Sequence, residues 1–315
     1  MNNYDCLGFG ICAADYLCLV PRYPELDEKT EAVEFSHQGG GPVATALVTL
    51  ARLGRQTSFI SLVGADANGK FIRDEFEREG VDTTGMIVDK AVATNQAFIW
   101  IDRPSGKKSI VLNSQNHRQI APSEIVPNHI GSAKYLLLDG RDSDASFELI
   151  KWAKATGAKI VLDAGSLRHR MEALLAAVDY PVVSRAFCQQ YFETDDYEQA
   201  VQQLLNFGAI AAVVTNGNQG CFGGDASGVY FQKAFSVEVV DTTGAGDVFH
   251  GAFVFGLLNN WKLPEILRFA SATAALKCTR LGGRSGIPDL ATVNKFLESQ
   301  RGETATCILW NSILG

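Results

Sequence analysis

The chain is poor in the features that mark several protein classes. No apolar stretch approaches transmembrane length. The charge is −7 with no long basic run, which argues against a nucleic-acid surface. Seven cysteines are an odd number, and none stand as Cys-x-x-Cys. Cys6, Cys12 and Cys18 are expected to pack rather than pair, so a zinc site and a disulfide framework are both disfavoured and a reducing cytoplasm is expected. The first residues carry Asp5 and Asp15 but no basic n-region, unlike a signal peptide. Internal repeats and low-complexity tracts are also lacking.

What is present suits a globular enzyme: 315 residues, 46% hydrophobic and 20% charged, enough for one large α/β domain with an appendage. Strand-like segments are Asp5–Phe9, Thr57–Val63, Tyr135–Leu138, Ile160–Leu162, Val182–Val183, Ile210–Thr215 and Val237–Val240. Helix-like segments are Val43–Leu53, Gly69–Glu79, Ser146–Thr156, Tyr197–Asn206, Asp247–Asn259 and Pro264–Lys277. Their alternation predicts a mainly parallel sheet covered by helices, an α/β/α sandwich. Asp139, Asp163, Ser184, Thr215 and Asp241 end successive strands, and ligands of open α/β sheets collect at that rim.

Two stretches interrupt the rhythm. Tyr16–Ser36 holds Pro21, Pro24 and several charges, while Asn95–Asn113 reads as a β-hairpin, Ala97–Asp102 with Lys108–Leu112, turning at Arg103-Pro-Ser-Gly106. These inserts predict either a small β lid (15–36 and 95–113) on a large domain (1–14, 37–94 and 114–315) or a plain surface hairpin.

The most informative run is Asp241-Thr-Thr-Gly-Ala-Gly-Asp-Val-Phe-His-Gly-Ala252, with Phe249, Phe253 and Leu257 along one helical stripe behind it. Gly244 and Gly246 let backbone N–H groups approach a ligand, and the helix start adds partial positive charge, which together seat a phosphate. Asp247 beside that seat suits phosphoryl transfer, as the acceptor of a hydroxyl proton. The alternative is an Asp N-cap after a glycine turn. Gly251 and Gly256 inside the helix predict close packing there. His250 reads as packed or exposed rather than catalytic.

Two near-motifs are decoys. Gly64-Ala-Asp-Ala-Asn-Gly69-Lys70-Phe71 nearly matches a P-loop, but Phe71 replaces the hydroxyl that would hold magnesium and Asp66 puts an acid in the cradle. Gly8-Phe-Gly10-Ile-Cys-Ala13 nearly matches a dinucleotide fingerprint, but Asp15–Val20 runs extended into Pro21 instead of opening a helix.

The run 241–252 resembles the C-terminal signature of the ribokinase-like (PfkB) carbohydrate kinases. Gly39-Gly-Gly-Pro-Val-Ala-Thr45, Gly64–Gly69 and Thr215-Asn-Gly217-Asn-Gln-Gly220 resemble other motifs of that family. The resemblance implies a ribokinase-like fold, use of ATP with Mg2+, an anion hole at Gly244, Ala245 and Gly246, and Asp247 as base. It implies sugar contacts from Asp15 and from Gly39, Gly40, Gly41 and Thr45, although Thr45 stands where an Asn is usual. Thr215, Gly217 and Gly220 would face the nucleotide. Ser184 falls where the family's Asn-x-x-Glu motif is absent, so it is a nucleotide-side candidate with no magnesium role. Asp241 and Thr243 are candidate ligands for a monovalent cation such as K+, near the glycine-rich loop 278–289. The lid would close on the sugar and mediate a homodimer.

Within the family the chain looks most like the sulfofructose kinase branch, whose sulfonate is held by a Lys, an Asn and an Arg. Lys29, Asn113 and Arg141 stand at matching places. The expected activity is therefore transfer of the γ-phosphoryl group of ATP to a primary hydroxyl of a ketose-like or anionic sugar. A nucleoside or ring-alcohol kinase of the same fold would need an aromatic wall under the lid. A catalytically silent sugar sensor would not need the intact Gly-Ala-Gly-Asp. The tail 304–315 has no assigned role, though Trp310, Ile313 and Leu314 could pack on a neighbour.

Overall fold

The computed structural model describes residues 3–125, 132–141, 143–300 and 306–308. Short β-branched and aliphatic runs form one large sheet from β1 (Asn3–Phe9), β4 (Thr57–Ile60), β6 (Val81–Asp82), β10 (Ser132–Leu138), β11 (Lys159–Ala164), β12 (Tyr180–Ser184), β13 (Ala211–Thr215), β14 (Cys221–Asp225), β15 (Gly228–Gln232) and β16 (Thr306–Ile308). Across the sheet they run β16-β15-β14-β13-β12-β11-β10-β1-β4-β6. Pairing is parallel from β6 to β13 and antiparallel through β14, β15 and β16.

Parallel strands need crossovers, and helices supply them on both faces. One face carries α1 (Pro42–Arg52), α2 (Ala67–Arg78), α7 (Ala245–Leu258), α8 (Leu263–Lys277) and α9 (Leu290–Ser299). The other carries α3 (Ser143–Thr156), α4 (Met171–Leu175), α5 (Arg185–Tyr191) and α6 (Tyr197–Leu205). Side chains alternate across a strand, so Leu137, Val161 and Val213 join the first core. Their neighbours Leu136, Leu138, Ile160, Leu162, Ala212 and Val214 join the second. Close packing accounts for the glycines inside α7: a methyl on Gly251 would stand 2.5 Å from Ala46 O, and one on Gly256 2.8 Å from Ile266 Cγ1.

A separate four-stranded sheet, β3-β2-β8-β9, contains β2 (Ala13–Val20), β3 (Glu34–Gly40), β8 (Gln96–Asp102) and β9 (Lys108–Asn113). The expected hairpin is its β8–β9 pair. Leu17, Leu19, Ala97, Ile99 and Ile101 on one face pack with Leu281. The opposite face leaves Phe35 59%, Phe98 37% and Val111 55% exposed. The turn of the hairpin lies against the segment before Asp241, since a methyl on Gly106 would stand 3.3 Å from Val239 Cγ1.

The structure departs from the sequence reading in several places. The run 57–63 is broken at Ser61, and β5 (Leu62–Gly64) leaves to pair with β7 (Ile87–Asp89). Ala234–Val240 is not a strand: it joins no sheet, and Val240 and Asp241 both donate their N–H to Cys278 O. Its apolar residues wall a cavity instead. The β14–β15 hairpin and the short helices α4, α5 and α9 were not anticipated. Trp310, Ile313 and Leu314 lie outside the described residues. Among the described residues no helix is long and apolar enough to cross a membrane.

Candidate active site

Gly244 is the N-cap of α7 with φ 76°, a left-handed conformation that favours glycine, and a methyl there would stand 2.9 Å from Gly283 O. This turn puts Ala245, Gly246 and Asp247 in the first turn of α7, where the helix provides no carbonyl for their N–H groups. Ala245 N donates to Thr242 O at 3.3 Å. Asp247 is half-buried, and burial raises the pKa of its carboxyl. The charges that pull it back are, in order, His250, Lys108, Lys277 and Arg284. Lys108 heads β9, so the small sheet contributes a cation to the field at Asp247.

Asp241 is fully buried and its acceptors are occupied. Oδ1 accepts from Thr243 N at 2.8 Å and Thr243 Oγ1 at 2.7 Å, and Oδ2 accepts from Gly282 N at 2.8 Å. The buried Lys277 ammonium donates to Asp241 O at 2.8 Å. Burial lowers the Lys277 pKa, and Asp241 opposes that shift.

A cavity of about 390 Å3 opens beside the start of α7. Ser184, Thr215, Gly217 and Gly220 line it at one side, and Ala245 and Gly246 reach it from the helix. Ala234, Phe235, Val237 and Val239 give it an apolar wall. Ser184 caps α5 by accepting from Phe187 N and donates to Gly165 O.

Asp15 in β2 is 7% exposed. Burial pushes its carboxyl up to about 7, with Arg284 pulling down and Asp247, Glu75 and Asp241 pushing further up. The glycine segment allows this close approach: a methyl on Gly40 would stand 2.1 Å from Asp15 Oδ2, and one on Gly39 2.3 Å from Arg284 Nη1. Gly41 is the N-cap of α1, and Thr45, 1% exposed, is packed inside that helix.

The sugar-side candidates separate. Lys29 is exposed in the loop between β2 and β3, and Asn113 is exposed with Nδ2 donating to Gln96 Oε1. Arg141, half-buried after β10, keeps a companion that the sequence reading missed. Arg168 follows β11, and a methyl on Gly140 would stand 3.7 Å from its Cγ. Both Nε atoms are buried with no hydrogen-bond partner. Burial lowers the Arg168 pKa, the Arg141 charge lowers it further, and Asp139 and Asp163 oppose. Arg168 lies in Leu162-Asp-Ala-Gly-Ser-Leu-Arg168, just past a strand-end acid, which was the signal available to find it.

Glu75 and Arg284 were missed, the second although it stands inside the glycine-rich loop 278–289, while His250 is packed, one of the two settings expected for it. Neither decoy holds a nucleotide loop. Asp66 caps α2 and accepts from Gly69 N, Thr94 N and Thr94 Oγ1, and Lys70 pairs with Asp74. Gly8–Ala13 leads into a strand.

The glycine turn, the start of α7 and Asp247 thus lie beside a cavity at the carboxyl ends of the parallel strands, the place where ligands of α/β sheets collect. The pfkB family carbohydrate kinase model matches residues 5–290, and the chain belongs to that family. It is a carbohydrate kinase of ribokinase-like fold. It is 31% identical over 297 residues to a ribokinase of Haemophilus influenzae, covering 92% of this chain and 97% of that one. It is 26% identical over 299 residues to a 5-dehydro-2-deoxygluconokinase of Geobacillus kaustophilus, covering 87% and 89%. Among solved structures, the ribokinase of Thermotoga maritima superposes with a TM-score of 0.80 at 26% identity, covering 94% of this chain and 99% of that one. The Arabidopsis thaliana ribokinase complexed with ribose and ATP superposes with a TM-score of 0.79 at 25% identity, covering 94% and 99%.

Proposed function

We propose that this kinase transfers the γ-phosphoryl group of ATP to a primary hydroxyl of a monosaccharide bearing an anionic group, a sulfonate, carboxylate or phosphate. The observation that carries the anionic acceptor is the pairing of Arg141 with Arg168. Two half-buried guanidinium groups keep unused Nε donors, the Arg141 charge acts against that of Arg168 while Asp139 and Asp163 oppose it, and an anion between the two arginines would relieve both deficits. Two relatives' names support charged acceptors, 5-dehydro-2-deoxygluconokinase and ATP-dependent ribose-1-phosphate kinase. Lys29 and Asn113, both exposed beside the small sheet, would join the anion from that side.

In this reading the apolar-walled cavity takes the nucleotide, with Ser184, Thr215, Gly217 and Gly220 along it. The terminal phosphate meets the N–H groups at the start of α7. Asp15 and the Gly39–Gly41 segment hold the sugar hydroxyls. The acceptor oxygen bonds to the γ-phosphorus as the bond to the β-phosphate oxygen breaks, ADP leaves, and the hydroxyl proton passes to Asp247. Positioning and charge stabilisation supply most of the rate. Mg2+ bound with the nucleotide would supply charge neutralisation of the phosphates. Lys277 already places an ammonium on Asp241 O, so no step here relies on K+ at Asp241 and Thr243.

The β3-β2-β8-β9 sheet would act as the lid, and its exposed Phe35, Phe98 and Val111 would form the homodimer face. Free cysteines among the described residues, most of them buried, suit a cytoplasmic setting. An ADP-release screen over neutral, carboxylated, phosphorylated and sulfonated sugars tests the reading. Turnover confined to neutral sugars would overturn the anionic acceptor. Sugar binding without ADP release would favour the sensor.

A further inference from the structure

His250 lies one helical turn past Asp247, is 4% exposed, and has no part in the mechanism above. We propose that His250 is a positioning residue held as a doubly protonated imidazolium, which keeps the Asp247 carboxylate ionised and fixes the peptide that forms the anion hole. The inference rests on Asp247 being the base.

His250 Nδ1 stands 2.7 Å from Gly246 O, and Nε2 stands 3.1 Å from Val182 O on β12. A carbonyl oxygen only accepts, whereas a neutral imidazole has one N–H and one lone pair. Either neutral tautomer would therefore press a lone pair against a carbonyl, at a depth where water cannot intervene. Only the imidazolium donates to both. Its counter-charge is in place: Asp163 Oδ2, on β11, lies 3.4 Å from Nδ1 and has no hydrogen-bond partner of its own.

Charged groups surround the ring and its two acidic neighbours. Asp163 faces the ring from β11 and Asp247 stands on its own helix, while burial, Asp247 and Asp139 push the Asp163 carboxyl up to about 6 and His250 opposes them. Lys108, Lys277 and Arg284 also act on Asp247. Among the cations that oppose the effect of burial on Asp247, His250 acts most strongly.

The second consequence is geometric. Gly246 O and Asp247 N belong to one planar trans peptide, so the carbonyl and the N–H point in opposite directions. Fixing Gly246 O inward on the imidazolium turns the Asp247 N–H outward from the ring. The same proton thus sets the charge of the base and the aim of a donor in the phosphate seat.

The test uses the full-length enzyme with its five histidines labelled with 15N. At pH 7.5, one imidazole is expected to show two slowly exchanging N–H protons and imidazolium nitrogen shifts, and this signal is absent from His250→Gln. Five neutral imidazoles would overturn the proposal, and this readout needs no turnover, so it stands even if no sugar is phosphorylated. In kinetics, His250→Gln is expected to move the acidic limb of kcat/KM up by about one pH unit, with KM for the sugar at pH 8.5 nearly unchanged. A limb that stays in place, in a variant that folds, would leave His250 merely structural and overturn the positioning role. If the variant does not fold, the spectrum of the unmodified enzyme decides.

Discussion

The Arg284 guanidinium and the Glu75 carboxylate meet at 2.8 Å with Arg284 only 1% exposed, so the loop after α8 is locked to α2 across β3. Gly39 N donates to the same carboxylate at 2.6 Å, Gln38 Oε1 accepts from Arg284 N, and the guanidinium lies 4.7 Å over the Phe76 ring. Arg52 holds the loop from behind, donating to Arg284 O and Ile287 O while paired with Glu79.

Removing one member of such a pair leaves a buried charge uncompensated. Glu75→Gln is expected to cost about 3–5 kcal/mol of stability, read from the urea unfolding midpoint and slope. Gly39→Ala is expected to disturb the same pair, because its methyl would stand 2.3 Å from both Arg284 Nη1 and Glu75 Oε2. A Glu75→Gln loss below about 1 kcal/mol would mean the pair is screened in solution.

Asp15 ties stability to pH in the direction opposite to a salt-bridged acid. Its folded pKa is raised to about 7 from 3.8, so the folded chain holds a proton that the unfolded chain releases. Stability from this group is highest below pH 4 and is lost as pH rises from about 4 to 7. At pH 8 the enzyme carries the full cost of a desolvated carboxylate. Asp15→Asn is therefore expected to raise Tm by about 2–4 °C at pH 8, to change it little at pH 4, and to weaken sugar binding. Scanning calorimetry at the two pH values checks it, and equal shifts at both would remove the carboxylate as the cause.

Much of this architecture could be read from the chain, and the reasons differ by region. The buried parallel strands β10 to β13 are short apolar runs followed by Asp139, Asp163, Ser184 and Thr215, so period, composition and rim coincide. Residues 234–240 failed for a physical reason: β-branched and aromatic types fill an apolar cavity wall as readily as a pleat, and the backbone there is held by Cys278 O. The glycine turn and helix start proposed as the phosphate seat could be read from the chain because they are local, one N-cap glycine and the residues that follow it. Glu75, Arg168 and Arg284 were not, because each acquires its meaning from a partner far along the chain. His250 was visible but uninformative, since its partners Val182 O and Asp163 Oδ2 come from two other strands.

Asp247→Asn keeps the size of the side chain and the peptide groups of the helix start while removing the proton acceptor. Turnover is expected to fall by about 10^2–10^4, with nucleotide affinity within about threefold by calorimetry. Because burial raises the Asp247 pKa, kcat/KM of the unmodified enzyme is expected to decline as pH falls, with its limb above the usual carboxylate range. The variant should lack that limb. Near-normal turnover would remove Asp247 as base.

Arg141 and Arg168 should determine which sugars are phosphorylated rather than how fast phosphate moves. Each guanidinium offers donors to an anion, and a charge-assisted hydrogen bond contributes about 1.5–3 kcal/mol, so Arg168→Ala is expected to lower kcat/KM for an anionic sugar by about 10–100-fold. For a neutral sugar the loss should stay below about threefold, because Arg168 would meet no charge there. Arg168→Lys should recover little, since an ammonium cannot reproduce the planar fork. The ratio of kcat/KM between a sulfonated or carboxylated sugar and its neutral counterpart is the quantity to measure for Arg141→Ala, Arg168→Ala and the double variant. The two sites share one ligand, so the double variant should lose less than the product of the single losses. A ratio unchanged across all three would show that the two arginines serve the fold and not the substrate.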